Sequence, residues 1–336
     1  MKHTLPTALI AAIATISCTP TEKPPPEPDP GKVKIMMTEW AGYIALYVAK
    51  ERDMFAGTGL DVEILPINDF KTVATAYASG EVQGRGNIVL DAVAEAAAGL
   101  HHKIVIATDY SSGSDVIAAK KGIGSPRDFA GKKIGFEEGT LTEFYINYVL
   151  QEAGVARDSI VHVEATPDEA AKMLLDGGLD VAVTCGPLLG KIKESPDHHI
   201  VYTSADAPGL ITDIVTFRQD FIDEYPGAVQ TIVDTYFNAL EYVETHPDEA
   251  EKILAKAFNC TQEEAKAQLE GVRMLGLRDN LNAFSVGSGL NSLYGNINET
   301  MDFLDPPQIF PSDSLIDGSF VKGTEKTKGL ENIQIP

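Results

Sequence analysis

Cysteine is scarce in this 336-residue chain: it occurs three times, at positions 18, 185 and 260, and never as a CxxC pair. Cys185 and Cys260 sit in unlike settings, which excludes a disulfide framework or a thiolate zinc site and leaves free buried thiols as the expectation. Basic residues are also few, 27 against 49 acids, for a formal net charge of -22. No block of consecutive acids is long enough to be a disordered tail, so the charge is spread over folded surface. That surface repels a phosphate backbone and excludes nucleic acid as a partner. Beyond the N-terminus no apolar run reaches the roughly 18 residues of a membrane-spanning helix. The patterns GxxxxGK[ST], HExxH and GxSxG are missing, no Cys/His cluster has metal spacing, and Cys185 has no basic or histidine neighbour in sequence to activate it. Enzymatic chemistry has no visible seat, and no cofactor or metal is expected. The adjacent pairs His101-His102 and His198-His199 are read as solvated loop residues.

A hydrophobic content of 44% suits one large or two medium globular domains. The opening MKHTLPTALIAAIATISC joins a short basic start to an apolar run too short to cross a bilayer, the pattern of an export signal over residues 1–18. Its end, Thr15-Ile16-Ser17-Cys18, resembles the bacterial lipobox with Thr15 in place of the usual leucine. That resemblance implies lipidation at Cys18; ordinary cleavage nearby is the alternative. Residues 19–32, TPTEKPPPEPDPGK, form a proline-rich tether, and at ~3.1 Å per residue such an extended spacer reaches roughly 40 Å.

From Lys32 short β-rich runs alternate with helical patterns, the signature of an α/β sheet with helices on both faces. Strand candidates include VKIMM, LDVEILP, GNIVL, KIVIATD, DVIAAK, KKIGF, LDVAVT and DIVTF, with helices beginning near Ala41, Phe70, Asp91, Leu141, Asp168 and Gly186. After Phe217 helical segments follow one another to about Leu304, and the Pro- and Gly-rich stretch from Pro306 is expected to wrap the surface. ATDYSSGSDV and SADAPGLITDIV look like two crossings between domains. The expected division is lobe 1 over 33–110 and 213–336, the latter with the helical C-terminal region, and lobe 2 over 111–212. Two hinge strands of this kind can open and close on a ligand.

Trp40, Gly42 and Tyr43 followed by VAKERDMFAGTGLDVEI, then GNIVLDAVAEAAAG, DYSSGSDVIAAKKGIGSPRDFAGKKIGFEEGT and GLITDIVTFRQDFIDEYP, resemble the extracytoplasmic solute-binding proteins of ABC importers, in the nitrate/taurine/sulfonate branch. The resemblance covers most of Val33 to Pro226. It implies a two-lobed type 2 periplasmic-binding-protein fold, an exported and lipid-anchored monomer, a small-molecule ligand in the interlobe cleft, and ABC permease subunits as partners. Arg85-Gly86-Asn87 stands where small residues are commoner in the family, so ligand identity does not carry over. A ligand-sensing receptor without transport is the alternative. A pyrimidine-synthase relative of the fold uses a cysteine-rich motif that this chain lacks.

Within that frame Trp40 and Tyr43 follow the first strand and are read as cleft wall, although Tyr43 also has helical spacing to Ile44 and Tyr47 and fits a core position. Asp69 either caps the next helix or reaches the ligand. Strand alternation puts Arg85, Asn87 and Val89 on one face, with Asn87 nearer the exit and Arg85 either deeper or paired at the surface. Asp109, Ser111 and Ser112 lie at the first crossing, where a simple Ser/Gly turn is the other reading. Thr140 stands at a helix start whose amides suit an oxygen-rich group, Thr184 ends a strand, and Asp213 begins the return strand. Asp69, Asp109 and Asp213 flank the proposed cleft and basic residues are scarce there. The expected solute is an aminosulfonate, an amine or amide, or another nitrogen-bearing small molecule. Cys18→Ala should abolish incorporation of labelled fatty acid; equal labelling of the variant would overturn the anchoring reading.

Overall fold

A computed structural model describes residues 28–330 apart from positions 68, 187 and 305, so Cys18, the signal and most of the tether lie outside the described residues. The strands are β1 (Lys32–Met37), β2 (Asp61–Pro66), β3 (Gly84–Ile88), β4 (His102–Ser111), β5 (Val116–Lys120), β6 (Lys133–Phe136), β7 (Val161–Glu164), β8 (Val181–Thr184), β9 (His198–Thr203), β10 (Thr212–Arg218) and β11 (Val272–Met274). One sheet has six of them in the order β11-β4-β10-β3-β1-β2, and the other five in the order β7-β6-β8-β5-β9. β1 runs parallel to β2 and β3, as β6 does to β7 and β8, because helices carry each of these strands back to the same edge. β10 is antiparallel to β3 and β4, having entered from the opposite side after the excursion through the second sheet.

Local chemistry starts and stops the helices. Asp69 Oδ1 accepts from the Lys71 and Thr72 amides at the head of helix Phe70–Ser79, and Gly80, at φ +81°, ends it. Pro247 occupies the first turn of helix Pro247–Phe258, and His246 closes helix Pro226–Thr245 before it. Helix Ile44–Glu51 is buried from Ile44 through Ala49, as an all-round apolar helix must be, between the first sheet and the helices of the C-terminal region.

Several expectations are corrected. Strand β3 ends at Ile88 and Val89 opens a helix, so Asn87 and Val89 do not share a strand face. A short strand, β11, interrupts the helical region and extends the first sheet along β4. The stretch after Pro306 does more than wrap the surface: Leu315, Ile316, Phe320 and Val321 are buried, and Ile316 bridges to Ile104 of β4. His102 and His198 are buried strand residues, and His102 Nε2 meets the Ala92 carbonyl at 3.0 Å. Cys185 and Cys260 are free but only partly buried. Among the described residues no helix is long and apolar enough to cross a membrane.

Beyond β11 the outer edge of β4 is completed by a side chain. Buried Asn280 accepts from the Ala107 amide at 2.8 Å and donates to the Ala107 and Leu275 carbonyls at 2.9 and 3.0 Å. Asn280→Ala strands these buried groups, each on the order of 1–3 kcal/mol. Urea unfolding should show a loss of that size; an unchanged midpoint would refute the role.

Candidate functional site

A cavity of about 430 Å³ opens between the two sheets. Its walls are the turns after the parallel strands β1 (Thr38, Glu39, Trp40), β6 (Glu137, Gly139, Thr140) and β8 (Cys185) and the last residues of β3 (Asn87, Ile88), closed by Asp115 before β5 and Asp213 in β10. This is where open α/β sheets place ligands, at the carboxyl ends of their strands.

The first wall is built on a 3₁₀ turn, Ala41–Tyr43, directly after β1. Gly42 admits the Asp109 carboxylate against its Cα, where a β-carbon would collide with the carboxylate oxygens. Gly86 does the same for the Tyr43 ring, since a β-carbon there would stand 2.8 Å from Met37 Cβ and 3.0 Å from Tyr43 Cζ. Trp40 Nε1 donates to Asp109 Oδ1 at 3.0 Å and Thr108 Oγ1 to Asp109 Oδ2 at 2.8 Å. Trp40 is half-buried, packed on one side against the first sheet's core while it lines the cavity. Tyr43 is both core residue and cavity wall. Its Oη lies 2.8 Å from Asp213 Oδ1 and 3.1 Å from the Asn87 carbonyl. One phenol proton cannot serve both acceptors; a protonated Asp213 donating to Oη, with Oη–H donating to Asn87, satisfies all three groups.

Titration behaviour supports that arrangement. Burial pushes Asp109 up to about 7 against the pull of its Trp40 and Thr108 hydrogen bonds, and the Asp115 charge adds to the rise. Asp213 is raised well above the usual carboxylate range by burial and by Asp109, and Asp115 is raised by burial. Asp91 rises to about 6 through burial, opposed by Arg85. Arg85 is buried beneath β3, 3.6 Å from Asp91 and paired with Glu95. The Cys185 thiol is pushed up to about 12 by burial and the charges of Asp115 and Asp168, which favours the protonated thiol over the thiolate.

Both crossings between the sheets meet beside the cavity. Ser111 Oγ donates to Asp115 Oδ2 at 2.6 Å and lies 2.8 Å from Ser204 Oγ, which in turn accepts from the Gly113 amide at 2.7 Å. The outgoing and returning strands are thereby tied together. On the far wall Thr140 caps helix Leu141–Ala153, accepting from the Thr142 amide. The amides around that helix start are already engaged: Glu137 with Thr142 Oγ1, Glu138 with Glu164, and Gly139 with Glu143.

Of the residues singled out from sequence, Trp40, Tyr43, Asn87, Thr140 and Asp213 line the cavity. Asp109 lies behind Trp40, Ser111 is buried on Asp115, and the Ser112 amide donates to the Gly271 carbonyl. Thr184 Oγ1 donates to the Pro167 carbonyl, and exposed Asp69 spends its carboxylate on its helix cap. Glu39, Asp91, Asp115, Glu137 and Cys185 also line the cavity and were not singled out as ligand contacts. Asp115 had a signal, as the acid closing SSGSD; the others had none stronger than their place after a strand. Among the described residues no three Cys, His or acidic side chains are grouped to hold a metal ion.

The family model described as NMT1/THI5 like matches residues 40–250. A protein of Brucella abortus (strain 2308) named as a binding protein is 22% identical over 292 residues, 81% of this chain and 89% of its own. The periplasmic sulfonate-binding protein SsuA of Methylobacillus flagellatus KT superposes with a TM-score of 0.71 at 18% identity, covering 91% of this chain and 97% of its own. The desulfurization enzyme DSZB superposes with a TM-score of 0.63 at 14% identity, covering 89% and 99%. The shared architecture is the periplasmic-binding-protein fold.

Asp109 holds a proton in the native chain up to about pH 7 that an unfolded aspartate loses near 3.9, so it erodes stability as pH rises between those values. Asp109→Asn, which keeps the acceptor for Trp40, should melt above wild type at pH 8, with the gap closing toward pH 4. His102, lowered to about 4 by burial, titrates alike in both proteins and cancels. A gap independent of pH would contradict the buried, protonated carboxyl.

Proposed function

The chain belongs to the NMT1/THI5-like family, and from that premise we propose that it is an exported, lipid-tethered solute-binding protein that captures a small nitrogen-bearing solute and delivers it to an ABC permease. The observation that carries this reading is the cavity, walled by strand ends of both sheets and flanked by both crossings. Residues 33–110 with 213–336 act as one lobe and 111–212 as the other; the membership of β1–β4, β10 and β11 in one sheet and β5–β9 in the second supports that division. Trp40 and Tyr43 supply the aromatic wall, Asn87, Thr140 and Asp213 polar contacts, and Asp109, Ser111, Ser112 and Thr184 brace them. A captured solute favours the closed arrangement by the difference in its affinity for the two. Burial and neighbouring carboxylates hold the one described lining thiol, Cys185, in its protonated form, and capture without turnover is the proposed activity.

The test is a thermal-shift screen of the mature protein against sulfonates, nitrate, amines, ureas and pyrimidines, followed by small-angle scattering with whichever solute stabilises it. Closure should reduce the radius of gyration, and Trp40→Ala should weaken binding by about 1–3 kcal/mol. A stabilising solute that leaves the scattering profile and the variant's affinity unchanged would defeat the cleft assignment.

A further inference from the structure

We propose that the solute is a small organic cation that presents N–H groups and carries no anionic group, an inference that rests on the binding role argued above. Five acids, Glu39, Asp91, Asp115, Glu137 and Asp213, line the cavity, and its described lining includes no lysine, arginine or histidine. The Arg85 guanidinium, carried on β3, is committed to Asp91 and Glu95. A second observation is independent of charge. Asn87 lines the same cavity and is 4% exposed, yet neither Oδ1 nor Nδ2 has a hydrogen-bond partner. Buried amides are almost always paired, and a ligand with an N–H beside an acceptor completes this one. The third concerns the alternative. An oxyanion on that wall would draw on the amides of the turn before helix Leu141–Ala153, and those of Glu137, Glu138 and Gly139 are occupied by a hydroxyl and two carboxylates, while Thr140 Oγ1 takes the Thr142 amide of the first turn. It would also face five acids at close quarters.

The acids are not grouped to hold a metal ion among the described residues, which leaves a cation with spatial extent. Carboxylates and Asn87 Oδ1 are acceptors, so a protonated amine or amidine satisfies them, and a hydroxyl or other neutral acceptor on the same solute takes the Asn87 Nδ2 donor; a quaternary ammonium, without N–H, leaves the acceptors unmet. Proton exchange accompanies uptake. Asp213 faces Tyr43 from the 3₁₀ turn, Asp109 and Asp115 from the first crossing, and Asp91 with Arg85 from β3 and its following helix. Cys185 closes the second sheet's side. An entering cation replaces protons held on the buried carboxyls, so affinity falls as pH is lowered.

Calorimetric titration of the purified mature protein with alkylamines, ethanolamine, agmatine and benzamidine is the experiment, set against choline, ethanesulfonate, nitrate and taurine. At least one N–H cation should bind, more than tenfold tighter than taurine or any anion and more than tenfold weaker at pH 5 than at pH 8. Asp213→Asn and Asp115→Asn should each weaken that cation tenfold or more while melting no lower than wild type without ligand. Preferred binding of taurine, a sulfonate or nitrate would overturn the cation and leave the solute-binding role standing. Choline binding as tightly as the amines would overturn the N–H requirement. No binding by any class would overturn both readings together.

Discussion

Burial of carboxylates beside one another governs the centre of this molecule. Asp109, Asp115 and Asp213 are each less than a tenth exposed, and all three lie where the chain leaves one sheet and re-enters it. An ionised carboxylate in such a place costs several kcal/mol unless it is paired and hydrogen-bonded. The surroundings supply the hydrogen bonds: an indole N–H and a threonine hydroxyl to Asp109, a serine hydroxyl to Asp115, and a phenol oxygen that accepts from protonated Asp213. Space is supplied by Gly42, against which Asp109 packs. Charge compensation is what the protein leaves to protons or to a guest.

Much of the architecture is legible in the chain because it is written in local periodicity. The alternation of β-rich runs and helical patterns, the Asp69 cap and the Pro247 restart all depend on neighbours within a turn or two. β11 and the buried tail were hidden for the opposite reason, since each is defined by pairing with β4, more than a hundred residues away. The same divide runs through the site. Trp40 and Tyr43 announce themselves as aromatics around a glycine after a strand. Asp91 and Glu137 look like ordinary helix-start and loop acids until two sheets bring them to one cavity. Asp69 and Thr184 had equally suggestive positions, and short-range hydrogen bonds used them up.

Likeness of fold does not transfer the sign of a ligand. A helix start at the cavity wall is a natural seat for oxyanions, and a sulfonate-binding protein shares this architecture. Here the Glu164 and Glu143 carboxylates sit on the Glu138 and Gly139 amides of the turn before that helix, and five acids line the cavity.

The two sheets also differ in how they are threaded. Every strand of the second lies within the continuous span Val116–Thr203, whereas the first needs β1 to β4, then β10 and β11, and finally Leu315 to Val321 against β4. A chain delivered from its N-terminus can therefore complete the inserted sheet while the framing one still lacks its central strand β10. β1, β2 and β3 can pair among themselves, but β4 joins them only through β10, and its outer edge waits for β11 and the buried tail. Non-local closure of this kind is slow, so the inserted sheet matures first and the cavity, which needs both, is the last part of the molecule to exist.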